Sequence, residues 1–253
     1  MDTIEKTVLY GANTTDLARE LLVQHIRSFK KELNDKEELS LSTQAYLVTR
    51  RAICELLLMP EQLILEQELS NTLDMSRTPV REALVRLETE GWIQIIPRRG
   101  FMVTPITQAD FSQTFEVLRA LDESAVALAT QVIDEDELEY LDILIQEQIE
   151  ALNAGNLHEW THLDRKFHQF IVEIANNQRL KEVRSIQSDM VYRANLYTIK
   201  TRTKPKHSIL EHKAIVAAMR TGESNSARIL QRAHQERVGK EMVHALENIN
   251  AKI

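Results

Sequence analysis

A chain of 253 residues is long for one domain and comfortable for two. Its apolar fraction of 43% supplies a packed core, and six Gly with five Pro leave too few breakers for a fold of many turns and short strands. No apolar run approaches the ~18 residues of a membrane span, Met1–Glu5 lacks the basic start of a signal peptide, and the single cysteine, Cys54, excludes an intrachain disulfide. A mainly helical cytoplasmic protein, with no membrane partner, is expected.

Residues 1–13 read as disordered. Over 15–33, Leu17, Leu21, Leu22, Ile26, Phe29 and Leu33 recur at helical spacing. The polar run Asn34–Glu38 then ends a 1–40 extension whose helix is expected to pack on another surface, such as a second subunit. Three helices follow at about 44–57, 66–73 and 78–90, with Cys54 a small buried residue of the first. Thr78 reads as the N-cap of the third helix, with Pro79 in its first turn and Gly91 as its stop. Trp92–Ile96 and Phe101–Thr104 are β-rich strands around the basic turn Pro97-Arg98-Arg99-Gly100. Helix, helix, helix, hairpin is the order of a winged helix-turn-helix, placed at 41–106.

Net charge is −7, and residues 49–106 hold seven Lys/Arg against eight Asp/Glu. Position must therefore carry any case for DNA. Arg77 and Arg81, four apart, project from the start of the third helix, while Val80, Leu84 and Leu87 face its core. Ser76 and Thr78 add hydroxyls beside uncapped N–H groups suited to phosphate, and the Arg98-Arg99-Gly100 tip could reach a groove or the backbone. Spacing alone also admits a solvated helix followed by an ordinary hairpin.

From 107 to 253 every segment reads as helix, at about 108–131, 134–153, 156–176, 178–199, 205–220 and 224–248, an all-α antiparallel bundle. Asp164 and His168 share a helix face. His212 and His234 lie symmetrically about the turn at Thr221–Ser224, so an antiparallel hairpin sets them at one height, ~15 Å from the turn. Together they would form a His3Asp site suited to Zn2+ or Ni2+. Taken alone, each histidine is more often a core or surface residue than a ligand. His158 and His162, also four apart, fall at the exposed start of their helix.

The run Glu66…Leu69…Met75-Ser76-Arg77-Thr78-Pro79-Val80-Arg81-Glu82-Ala83-Leu84…Leu87-Glu88…Gly91-Trp92…Arg99-Gly100 closely resembles the GntR family of transcription regulators. That resemblance implies a homodimer on a palindromic double-stranded operator. Arg77 and Arg81 would contact bases, Ser76 and Thr78 would hold phosphates, and Arg99 with Gly100 would form the wing tip. Some members carry arginine where this chain has Gln67, which puts that contact in doubt. Asp164-Arg165-Lys166-Phe167-His168, Asn177, Leu180, Glu211-His212 and His234, with Val117–Glu123, resemble the FCD effector domain of the FadR subfamily. That likeness implies Asp164, His168, His212 and His234 as metal ligands, zinc first and nickel second, beside a small organic or sugar acid. It suggests Arg119 as the carboxylate clamp, with Arg193 and Asn195 as further effector contacts, while a plain surface or interhelical salt-bridge role fits each of the three as well. The expected function is repression controlled by that acid. A purely structural or metal-sensing ion is the alternative, and a metal-dependent hydrolase a weaker one, because no glutamate adjoins the ligands as in HExxH.

Overall fold

The computed structural model describes residues 16–34 and 39–250. The expected disorder of 1–13 and most of the polar break at 34–38 lie outside them. The chain divides into two compact units, Met1–Pro105 and Ile106–Ile253.

In the first unit α1 (Asp16–Asn34) precedes α2 (Leu41–Cys54), β1 (Leu63–Ile64), α3 (Glu66–Leu73), α4 (Arg77–Thr89), β2 (Ile93–Ile96) and β3 (Gly100–Val103). Helix α1 packs on its own unit. Ile26 and Phe29 are buried, and Arg27 Nε and Lys30 Nζ donate to the last carbonyls of α3, Thr72 O at 3.1 Å and Leu73 O at 2.5 Å. Cations at a helix C-terminus satisfy orphan carbonyls and oppose the negative dipole end. The Arg51 guanidinium ties α2 to the same helix, 3.8 Å over the Phe29 ring and 2.6 Å from Glu32. Cys54 is buried in α2, as its neighbours imply.

Two local expectations change. Helix α4 begins earlier than Thr78: Ser76 is the N-cap, and Thr78 and Pro79 lie inside the first turn. The cause is the compact turn before it, where Asp74 adopts φ 52° and Met75 N–H donates to Ser70 O at 3.0 Å. The wing is a three-stranded antiparallel sheet ordered β1-β3-β2, with Leu63 opposite Met102 and Ile64 opposite Phe101. At the tip, Arg99 N–H donates to Ile96 O at 3.0 Å across Pro97 and Arg98, and Arg98 has φ 65°. That is the pattern of a turn with Pro second and a left-handed third residue.

Gly100, with φ 109°, sits where any Cβ would strike the Ile64 carbonyl. Its place in the chain is thus explained by close passage of β1, whatever the wing touches.

Six helices make up the second unit among the described residues: α5 (Gln108–Ala129), α6 (Glu135–Asn153), α7 (Leu157–Ile174), α8 (Gln178–Thr198), α9 (Lys206–Arg220) and α10 (Ser224–Asn250). Thr107, Asp134, Asn156 and Asn177 each accept an N–H of the following helix's first turn, so four helix starts carry side-chain caps. The main core gathers Leu141, Leu144, Trp160, Phe167, Ile215 and Met219. Gly239, inside α10, lies against Phe115 of α5; a Cβ there would come 2.7 Å from the ring. The glycine costs α10 about 1 kcal/mol of helix propensity and admits the ring. No helix among the described residues is long and apolar enough to cross a membrane.

Gly100→Ala is expected to cost about 2–4 kcal/mol, from steric overlap plus left-handed strain. Gly222→Ala, where an added Cβ meets nothing within 4 Å, should cost only about 1–2 kcal/mol. Thermal denaturation of the two variants checks this; equal losses would contradict the close-passage explanation.

Candidate functional site

On the first unit, α4 presents Ser76, Arg77, Thr78 and Arg81 to solvent. The Ser76 side chain makes no capping hydrogen bond, so the first-turn N–H groups remain available to an anion. Arg81 lies 3.4 Å from Glu66, and Arg77 Nε donates to Gln67 Oε1 at 2.7 Å. Arg98 and Arg99 are exposed at the wing tip. Val85, one turn beyond Arg81 and 53% exposed, extends the same face. Sequence reasoning missed it, although four-residue spacing from Arg81 was the signal.

The second unit brings Asp164 and His168 of α7, His212 of α9 and His234 of α10 together. One ligand atom from each lies within 4.8 Å of every other. The ring centroids are 5.1 Å apart for His168–His212, 5.3 Å for His168–His234 and 4.8 Å for His212–His234. Phe167 stacks on His212 at 4.3 Å and supports the cluster from the core side. His158 and His162 are exposed and stand apart.

Residues behind the histidines determine which nitrogens face inward. Glu211 Oε2 lies 2.6 Å from His234 Nδ1. A carboxylate only accepts, so Nδ1 donates to it and Nε2 is the nitrogen left to face the centre. Gln148 Oε1 lies 2.9 Å from His212 Nδ1 and has the same effect. Gln231 Nε2 lies 3.4 Å from His168 Nδ1, while its Oε1 is buried without a partner. Turned over, that amide would accept from Nδ1 and give His168 the same tautomer. His212 Nε2 is buried with no hydrogen bond, and Asp164 Oδ1 lies 3.6 Å from it. An orphaned imidazole nitrogen facing a carboxylate and two more imidazoles fits a divalent ion of borderline softness.

Electrostatics agree with that fit. Burial, then the neighbouring His234, holds His168 and His212 well below the usual histidine range, so both are neutral and able to ligate. Burial pushes Asp164 up to about 6, with His234, Arg202 and Arg237 pulling it partly back. Burial also raises Glu211, but hydrogen bonds from Arg237 and His234 outweigh it and hold the carboxyl at about 2. Arg237 reaches Glu211 with Nε at 2.7 Å and Nη2 at 2.5 Å.

A cavity of about 60 Å³ opens on Asp164, His168 and His234. Phe115, Leu118, Val191, Val238 and Met242 form an apolar wall, and Asn195 joins the polar side. Arg119 and Arg193 are not on this wall. Arg119 pairs with Glu236 at 3.2 Å, and Arg193 is buried away from the cavity lining. The guanidinium groups that do line it are Arg165, paired with Asp189, and Arg184, paired with Asp122. Gln235 donates to the same Asp122 at 2.7 Å, which completes a buried ion pair across α5, α8 and α10.

A winged helix-turn-helix with outward arginines, on one chain with an all-helical unit whose cavity opens on a carboxylate and imidazoles, defines a DNA-binding regulator. Profiles described as "Bacterial regulatory proteins, gntR family" and "FCD domain" match residues 41–103 and 113–237. The HTH-type transcriptional repressor RspR of Escherichia coli (strain K12) is 26% identical over 197 residues, 78% of this chain and 86% of that protein. An uncharacterized HTH-type transcriptional regulator in the TAR-I ttuE-ttuC' intergenic region of Agrobacterium vitis is 31% identical over 134 residues, 52% of this chain and 78% of that protein. The solved structure of E. coli McbR/YncC shares the fold with a TM-score of 0.73 and 20% identity, covering 82% of this chain and 99% of that one. The chain belongs to the GntR family of bacterial transcription regulators and carries an FCD-type effector domain. That family is one of regulators, not enzymes.

Glu211→Gln replaces the acceptor behind His234 with a neutral amide. Zinc affinity, measured by competition with a chelator, is expected to fall about 10–100-fold. Unchanged affinity would mean that Glu211 does not set the histidine.

Proposed function

We propose that this regulator is a homodimeric repressor of the FadR subfamily whose grip on a palindromic operator is controlled by a small carboxylate at a metal held by Asp164, His168, His212 and His234. The observation that carries the reading is the four-ligand cluster opening on the cavity. One carboxylate and three neutral imidazoles leave a divalent ion with net positive charge, and such an ion, zinc first and nickel second, supplies that charge and a coordination position to an acid. The chain's own residues do the rest. Glu211, Gln148 and Gln231 hold the rings, and Phe115, Leu118 and Met242 exclude water from the far side.

Cavity size and lining narrow the acid. The cavity is small, about 60 Å³, and Phe115, Leu118, Val191, Val238 and Met242 make one wall of it apolar. A short-chain carboxylate with an apolar tail suits it better than a polyhydroxylated sugar acid. Arg165, Arg184 and Asn195, on the cavity wall, replace Arg119 and Arg193 as the residues to meet that acid. Repression has support from the relative named as a repressor. Pairing has support from exposed Val117 and Leu128, about three turns apart on α5, and Val183 on α8. The acid alters DNA affinity only through unequal affinity for the two arrangements of the dimer.

The purified chain is expected to hold metal in equimolar amount and His212→Ala to lose it, as read by elemental analysis. Acetate or butyrate, tested against gluconate, should change operator affinity of the metal-loaded protein by about 5–150-fold. No metal after reconstitution would remove the sensor. Metal alone changing DNA affinity, with every acid inert, would establish the metal-sensing alternative instead.

A further inference from the structure

Gln67 stands on the exposed side of α3, four residues before Asn71 and across the turn from Arg77. Its Oε1 accepts from Arg77 Nε at 2.7 Å, and its Nε2 donates to Asn71 Oδ1 at 2.7 Å. The direction of this chain of bonds is unambiguous. Guanidinium only donates, so the acceptor end of the Gln67 amide must face Arg77 and its NH2 end must face Asn71.

Two consequences follow from that polarity. A glutamine reads adenine by presenting both ends of its amide to the base edge. Here both ends are engaged within the protein, so Gln67 is not arranged to read a base. Arg77, held at Nε, retains its Nη1 and Nη2 donors, which have no protein partner among the described residues. Those two donors form the edge that pairs with O6 and N7 of guanine. Arg81, at 72% exposure, has a carboxylate, Glu66, 3.4 Å from its Nη2 rather than a neutral amide at Nε.

We propose that Gln67 is the positioning residue for Arg77: it fixes the guanidinium so that the Nη edge faces the major groove, and thereby sets base discrimination at one position of each half-site. The proposal rests on the reading of α4 as the recognition helix, whose first turn meets base edges. Locking the side chain before binding removes part of the entropy cost of ordering it on the DNA. Asn71 takes up the other end of the amide and keeps it from turning over.

The test uses the full chain and a random double-stranded DNA library. Selection gives the preferred site, and affinities for all single-base changes of that site identify the base pair that Arg77→Ala relaxes. In Gln67→Ala, discrimination at that same base pair is expected to fall about two- to tenfold. The salt dependence of binding should stay as in wild type, since no charge is removed. Gln67→Glu keeps an acceptor for Nε and should restore the discrimination. A relaxed base pair other than that of Arg77, an equal loss on every sequence, or no change in Gln67→Ala with a wild-type melting curve would each overturn the proposal. Wild type selecting no sequence at all would remove the recognition-helix reading itself, a failure distinct from these three.

Discussion

The arrangement of the second unit depends on keeping one carboxylate and three imidazoles together inside an apolar bundle. Each carries a desolvation cost unless every nitrogen and oxygen finds a partner. The protein meets this with a second layer. Glu211, Gln148 and Gln231 each address an Nδ1 and leave one nitrogen per ring facing the centre. Arg237 in turn binds Glu211 through Nε and Nη2, reaches Ser208 with the same Nη2 and reaches Glu241 with Nη1. Among the buried atoms left without a protein partner is His212 Nε2, at the centre of the cluster beside Asp164. A buried imidazole nitrogen left open toward a carboxylate and two further imidazoles is organised for something that enters between them.

The first unit answers a different constraint, holding a short helix-turn-helix rigid with a small core. Tyr46 donates to Glu90 at 2.7 Å, Trp92 Nε1 donates to the same carboxylate at 3.2 Å, and Arg50 and Arg86 lie over the aromatic rings. Burial first, and that acceptor second, push the Tyr46 hydroxyl up to about 12, so it stays a donor throughout the physiological range. Helix α1 adds Arg27 and Lys30 to the open end of α3. Helix α4 is thus braced through the helix that precedes it.

How much was legible in the sequence varied with the range of the interaction responsible. Helix 66–73 and the bundle helices followed from local periodicity and capping. His212 and His234 followed from their symmetry about one turn, and their rings meet at 4.8 Å. Strand β1 was missed because two residues cannot display alternation; Leu63 and Ile64 are strand only through Met102 and Phe101, far along the chain. The start of α4 was misplaced because Thr78-Pro79 resembles a cap and first turn, while the deciding bond, Met75 to Ser70, belongs to the preceding turn. Arg119 was expected at the effector, but spacing along α5 does not say which side faces the cavity. Its partner, Glu236, lies on α10. Gln148 was overlooked, although a fully buried glutamine on the apolar face of α6 needs a buried partner, and His212 is that partner.

The same distinction between composition and position resolves the charge of the DNA-binding unit. Seven basic and eight acidic residues over 49–106 suggest nothing basic. Their placement is unequal. Glu68 accepts the Leu65 N–H at the start of α3, Glu88 accepts the Ile95 N–H at 2.7 Å, and Glu90 sits in the Tyr46–Trp92 cluster facing Arg86. These carboxylates serve helix starts, strand ends and aromatic hydroxyls, where Arg50 and Arg86 balance them locally. Arg77, Arg98 and Arg99 face solvent, and the first of them is held by a neutral amide instead of a carboxylate. A carboxylate at Gln67 would cancel the charge of Arg77; an amide orients the guanidinium and leaves its charge intact. An acidic chain can therefore present a basic edge, because the sum of charges constrains the edge far less than which partners are neutral.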